Sequence, residues 1–163
     1  MKLAIITLVC VALNGITLAQ HDASTHQQHM ADLNQHGAEA MGFDQNKTTH
    51  HFRLYKDGGA VEVQAKDPAD TVSIGQIRDH LKQQAKKFAA GDFGAPQHTH
   101  GQVPPGVEAM TKLRSKIQYE FESMEHGGRL RITTADAQAL AAVHQFLRFQ
   151  IEDHATGDKT SVD

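Results

Sequence analysis

Residues 46–63, NKTTHHFRLYKDGGAVEV, carry the pattern that decides the fold. Apolar and polar side chains alternate from His50 onward, so His50 shares a strand face with Phe52 and Leu54, whereas His51 points to the opposite side. The KDGG stretch is typical of a tight hairpin turn, because glycine adopts positive φ without strain. The segment therefore predicts two antiparallel strands, and an apolar stripe at helical spacing predicts a helix over 72–90.

The same order recurs in the second half of the chain. KIQYEFESM alternates, EHGG turns, RLRITT returns, and a helix is predicted over 136–154. FAAGD at 88–92 also parallels HATGD at 154–158. We predict an α+β fold with a duplicated ββα unit, in which a four-stranded antiparallel sheet carries two helices on one face. A His-rich N-terminal helical segment, with a helix near 27–40 that Gly42 ends, precedes it.

The alternation assigns the strand residues to two faces. The predicted inward set is Phe52, Leu54, Val61, Val63, Ile117, Tyr119, Phe121, Leu130 and Ile132. The predicted outward set is Arg53, Glu62, Glu120, Glu122, Arg129 and Arg131. The outward set indicates solvent-exposed cross-strand ion pairs, with a partner-binding surface as the alternative.

The first nineteen residues have the pattern of a secretory signal peptide. Lys2 precedes an apolar run, and Ala19 offers a small residue for cleavage before Gln20. The only cysteine, Cys10, lies inside this peptide. We therefore expect a periplasmic or secreted protein that folds without disulfides.

The remaining chain divides into three parts. The predicted boundaries are a polar His-rich segment at 20–45, one α+β domain at 46–158 and a polar tail at 159–163. Within the domain we place ββα units at 50–91 and 115–156, separated by a loop and short helix at 92–114.

Composition excludes several functional classes. The net charge is −3 at pH 7, which argues against a nucleic-acid-binding surface. No second apolar run is long enough for a membrane span after signal cleavage. The sequence also lacks a nucleophilic cysteine, a G-x-S-x-G elbow, an H-E-x-x-H helix and a phosphate-binding glycine loop. The conspicuous feature is histidine, with twelve copies.

Four histidines on regular elements are candidate ligands. His50 lies on the apolar strand face, where a neutral imidazole needs either a backbone hydrogen bond or a metal. His51 is expected to be exposed. On the last helix His144 falls at the edge of the buried stripe and His154 near its middle. A cation at the helix C-terminus is the alternative explanation of His154.

His98 and His100 form an H-x-H motif in the long Gly- and Pro-rich segment. If that segment is extended, both rings point the same way, which is a common arrangement of two ligands for copper or zinc. In the N-terminal segment, His26, His29 and His36 form one helical stripe. The stripe is either a weak metal-collecting arm or a solvated face. We expect His21, His80 and His126 to be surface residues.

Three motifs resemble a family of small exported bacterial proteins. The motifs are MGFDQNKTTHHFRL, HGQVPPGV and AVHQFLRFQIEDHATGD, and the resemblance spans residues 41–158. Its members are often labelled aspartate carbamoyltransferase, although this chain lacks the S-T-R-T motif of that enzyme and is too short for its two domains. The resemblance implies importance for histidines inside the motifs: His50, His51, His100, His144 and His154.

These observations predict a periplasmic metal-binding protein with a mononuclear imidazole site formed by His50, His100 and His144, with His51, His154 and His98 next in order. Copper is the predicted ion and zinc the alternative, because both suit imidazole and copper binds more tightly. The expected role is binding, delivery to a periplasmic partner or tolerance. A metal-dependent enzyme and a non-metal structural or partner-binding module are the two rival hypotheses.

Overall fold

Two β-hairpins form one antiparallel sheet, and helices cover one of its faces. The computed structural model describes residues 14–163, with side chains from residue 23 onward. The elements are α1 Asn14–Met41, β1 Thr48–Tyr55, β2 Gly58–Ala65, α2 Thr71–Ala89, α3 Gly94–His100, α4 Val107–Lys112, β3 Ile117–Met124, β4 Gly127–Thr134 and α5 Ala137–Asp153. Single 3₁₀ turns at Gln45–Lys47 and Arg114–Lys116 lead into β1 and β3.

The strand order β1-β2-β4-β3 reflects the internal repeat. All three pairings are antiparallel, and the two hairpins meet through β2 and β4 at the centre of the sheet. The hairpin registers are equivalent, with Tyr55 opposite Gly58 in the first and Met124 opposite Gly127 in the second. The predicted duplicated ββα fold is therefore confirmed.

Each long helix packs mainly on the hairpin of the other repeat. α2 lies over β3 and β4, whereas α5 lies over β1 and β2. The second glycine of each turn allows this approach: a Cβ at Gly59 would lie 2.2 Å from Leu147 Cδ1, and one at Gly128 would lie 3.1 Å from Leu81 Cδ1. We call this arrangement the helix exchange.

Equivalent signals delimit the two exchanged helices. Asp70 and Asp136 are the N-caps, and each carboxylate accepts hydrogen bonds from the first-turn backbone. After each helix the chain turns through a glycine with positive φ, 82° at Gly91 and 73° at Gly157. The internal repeat therefore includes the N-cap residues that begin the two helices and the glycines that follow them.

The core lies between the sheet and the helices, as the inward set predicts, although Val61, Tyr119 and Phe121 are only partly buried. One expectation about the outer face is wrong. Glu62 is 6% exposed, because Arg53 and Arg129 both pair with its carboxylate and cover it. Arg129 also pairs with Glu122, so the cross-strand ion pairs form a layer rather than isolated solvent contacts.

Two segments before and between the repeats differ from expectation. The predicted signal peptide lies mostly in residues 1–13, outside the described part. α1 begins at Asn14, passes through the predicted cut after Ala19, and ends at Gly42 as expected. The predicted extended H-x-H loop is instead helix α3, which packs against α1. No helix among the described residues is both long and apolar enough to cross a membrane.

Candidate functional site

A small cavity of about 70 Å³ lies between the sheet and the helices. Most of its wall is apolar, from strand residues such as Phe52 and Leu130 and helix residues such as Phe88 and Phe146. Its polar or sulfur-bearing lining consists of Met41, His50, His80, Gln84, Thr99, His100, Gln150 and His154. Side chains from α1, α2, α3, α5 and β1 thus meet at one place.

Three of these histidine side chains have no polar partner in the described part of the chain. The imidazoles of His50, His80 and His154 form no hydrogen bond or ion pair with any residue that the structure describes, and the Nε2 atom of His50 is also buried. A buried imidazole nitrogen without a partner destabilises the fold, because it has lost its hydrogen bonds to water. A buried nitrogen of this kind on His50, in a cavity that two further unpartnered imidazoles line, therefore indicates a ligand-binding site rather than core packing.

The rings lie close to one another. The His50 and His154 centroids are 5.9 Å apart with nearly parallel planes, and His154 and His100 are 5.0 Å apart and nearly perpendicular. Phe43, which follows α1, contacts both His50 and His80. The cavity thus has a row of imidazoles along one side.

Burial keeps the unpartnered histidines uncharged. Loss of hydration lowers the pKa of His50 to about 4 and that of His80 to about 4. It lowers the pKa of His154 to about 3, and the neighbouring His50 and His100 act in the same direction. The alternative explanation of His154 as a cation at the helix C-terminus does not fit a ring held in the neutral form.

His100 differs, because both of its ring nitrogens are engaged. Nδ1 lies 2.6 Å from Asp153 Oδ2 and Nε2 lies 2.9 Å from Gln150 Oε1, and the side chain is 1% exposed. The other oxygen of Asp153 lies 3.0 Å from His29 Nε2 on α1. Asp153 therefore ties α1 and α3 to the end of α5 and fixes the His100 ring against the cavity wall.

The internal repeat identifies the counterparts of His50 and His154. Hairpin register relates His50 to Tyr119, and the FAAGD and HATGD sequences relate His154 to Phe88. Phe88 and Tyr119 also pack together, with centroids 5.8 Å apart. The same structural position is therefore filled by an aromatic pair in one half and by two histidines in the other.

His144 lies away from the cavity. Its Nε2 is 3.0 Å from the carbonyl oxygens of both Tyr55 and Gly58, at the turn of the first hairpin. The equivalent helix residue, Arg78, donates to Met124 O and Gly127 O at the turn of the second hairpin. His144 therefore ties α5 to the turn of the hairpin on which this helix packs. The prediction that it converges with His50 and His100 is wrong.

This role gives a first prediction. We expect His144→Ala to lower the free energy of unfolding by about 1–3 kcal/mol, because two buried turn carbonyls lose their shared donor. Urea denaturation measures this effect, and Arg78→Ala should show a comparable loss. Equal stability of His144→Ala and the wild type would contradict this stabilising role of His144.

The two remaining predicted ligands also lie elsewhere. His51 Nδ1 is 3.0 Å from the buried Asp158 carboxylate, which Arg53 and the backbone N–H of Phe52 also contact. Burial alone would raise the pKa of Asp158, but hydrogen bonds with the Phe52 backbone, Thr156 and His51 lower it on balance. His98 is exposed on α3 beside Glu39 and His36. It points away from His100 because residues two apart lie on different sides of a helix.

His80 was expected to be a surface residue, and this expectation is wrong. It lies one turn after Ile77 and one turn before Gln84, both of which are buried, so it borders the buried stripe of α2. This position beside the buried stripe is the feature of the sequence that could have identified His80 as a cavity residue. As the side chains lie, no three His, Cys, Asp or Glu residues in the described part of the chain are grouped closely enough to hold a metal ion.

Comparisons with known proteins identified no relative of this chain. No protein-family model, no curated protein and no solved structure matches the chain. The resemblance to small exported bacterial proteins therefore stays a prediction from the sequence motifs.

Proposed function

We propose that the protein binds one Cu(I) ion in the cavity, through the imidazoles of His50 and His154 and the thioether of Met41. The observation that carries the proposal is the buried, unpaired Nε2 of His50 in a cavity lined by two more imidazoles that have no polar partner among the described residues. Its role would be copper binding, delivery or tolerance in an exported compartment, and not turnover.

The separation of His50 and His154 suits a ligand pair, and rotation of their nearly parallel rings is needed for a nitrogen of each to face one ion. With metal–nitrogen distances of about 2.0–2.1 Å, two imidazoles on one ion have ring centroids roughly 5–6 Å apart. The His50 and His154 centroids are 5.9 Å apart. Both rings are also neutral at pH 7, so binding need not displace a proton.

The donor set favours Cu(I) over zinc. A thioether such as Met41 is a soft ligand that selects Cu(I), whereas structural zinc sites take four ligands, usually thiolates and imidazoles. Cu(I) is satisfied by fewer than four ligands, so two imidazoles and a sulfur suffice. His80 borders the same cavity as a further imidazole, while His100, fixed by Asp153 and Gln150, would shape the wall beside the ion.

The proposal is tested by titrating the untagged protein with Cu(I) against a chromogenic chelator. We expect one Cu(I) per chain at submicromolar affinity and much weaker binding of Zn(II). Copper-edge X-ray absorption should detect a sulfur ligand that Met41→Leu removes, because leucine fills similar volume without a donor. The proposal would be refuted if the chelator removed all Cu(I) from the protein, or if the protein bound Zn(II) more tightly than Cu(I).

A further inference from the structure

Two buried glutamines in the cavity have polar atoms without partners. Gln84 on α2 is 5% exposed, its side chain forms no hydrogen bond with any described residue, and its Oε1 is buried. Gln150 on α5 is 4% exposed, and its Nε2 is buried and unpaired while its Oε1 lies 2.9 Å from His100 Nε2. Both side chains line the cavity.

The two glutamines occupy equivalent positions in the repeat. Each lies three residues after the leucine that packs on a turn glycine, Leu81 in α2 and Leu147 in α5. These positions belong to the buried stripe, where an apolar side chain would avoid the cost of an unpaired amide. An amide at both positions therefore implies that something in the cavity supplies hydrogen bonds.

We infer that the cavity is also a binding site for a small neutral molecule with a planar amide group, of the carboxamide or urea class, held by Gln84 and Gln150. The site does not depend on the proposed copper site, although both share the cavity.

The geometry of the free atoms favours an amide. The Gln84 side chain presents an acceptor and donors in one plane, and a second amide matches this edge with two parallel hydrogen bonds. The unpaired Nε2 of Gln150 adds a donor for the carbonyl oxygen of the ligand. A group that only accepts or only donates would leave one of these atoms unsatisfied.

Charge and size narrow the ligand further. No Lys, Arg, Asp or Glu among the described residues lines the cavity, so a carboxylate or ammonium ligand, which the imidazoles cannot coordinate as they would Cu(I), would be buried there without a counter-charge. The volume of about 70 Å³ exceeds the roughly 10–15 Å³ needed by one water molecule, and it suits a ligand of a few heavy atoms. Phe88, Leu130 and Phe146 offer apolar contact to a short alkyl group.

The test uses chelator-treated protein, so that its outcome is separate from that of copper binding. Acetamide is titrated while the side-chain NH₂ resonances are followed by NMR, with acetone as an acceptor-only control and acetate as a charged control. We expect saturable shifts of the Gln84 and Gln150 resonances with millimolar acetamide, weaker binding of acetone and no binding of acetate.

The matched variant is Gln84→Met, which keeps the length of the side chain and removes its amide group. We expect it to weaken acetamide binding by about tenfold or more, the equivalent of one lost hydrogen bond. Its melting temperature should not fall, because an unpaired buried amide has been removed. Gln35→Met, at an exposed position on α1, should bind acetamide as the wild type does.

Two results would overturn the inference. Equal, unsaturable shifts with acetamide and acetone would show that water alone fills the cavity. Wild-type acetamide affinity in both Gln84→Met and Gln150→Met would show that the ligand binds elsewhere. A loss of copper binding in a separate titration would bear only on the proposed function.

Discussion

Replacing His50 by Tyr and His154 by Phe together is expected to abolish tight Cu(I) binding while the protein stays folded. The two new residues are those of the equivalent pair in the other repeat, Tyr119 and Phe88, which already pack at this position. The variant therefore keeps an aromatic pair between helix and strand but has no imidazole ligand there. We expect affinity to fall by at least about 100-fold, since loss of a mere supporting residue costs about 10–100-fold.

The measurement is competition against a Cu(I) chelator, with circular dichroism and the melting temperature as the folding check. The single variants His50→Tyr and His154→Phe should each lose most of the affinity. His98→Ala is the matched control, because His98 is exposed on α3 and outside the cavity. If the double variant retained Cu(I) and His98→Ala lost it, the ligands would lie on the surface of α1 and α3 instead.

As the pH is lowered, the metal-free protein is expected to lose stability already at pH values well above those at which most carboxylates titrate. Burial lowers the pKa of His50 and His80 to about 4 and that of His154 to about 3, from an ordinary 6.5. Between these values the unfolded chain binds protons that the folded chain does not, so stability is complete above pH 6.5 and falls as the pH falls. Asp153 opposes the effect at His154, but burial outweighs it.

Each histidine contributes at most about 1.4 kcal/mol per pH unit in this window, so the free energy of unfolding should fall by several kcal/mol between pH 7 and pH 4. Urea denaturation at a series of pH values measures the decline. The His50→Tyr/His154→Phe variant is the control, and its profile should be flatter because two of the three groups are gone. A wild-type stability that is constant from pH 6.5 to 4.5 would contradict the neutral, buried state of these rings.

The fold could be predicted from the sequence because its signals are local and occur twice. Strand alternation, the GG turns, and the Gly stops after both helices each depend on residues close in the chain. α3 escaped prediction because GAPQHTH contains a glycine and a proline. Pro96 is in the first turn, where proline is tolerated, and packing against α1 supplies the rest.

The candidate site could be predicted only in part, since it depends on the helix exchange. Periodicity correctly marks His50 and His154 as facing the core, but it does not say which hairpin a helix covers. His144 faces the core too, yet it meets the turn of the first hairpin rather than the cavity. His80 enters the cavity from α2, and only the three-dimensional arrangement brings it beside His50.

The helix exchange explains how a protein built from two similar ββα units can have a histidine site in only one of its two equivalent positions. Each ββα unit leaves most of its own hairpin to be covered by the helix of the other unit, so an unlinked unit with this packing would bury its sheet by pairing with a second copy. Such a pair of identical chains would carry either two histidine ends or none. Joining both units in one chain removes that restriction, and it lets one end keep Phe88 and Tyr119 for packing while the other holds His50 and His154.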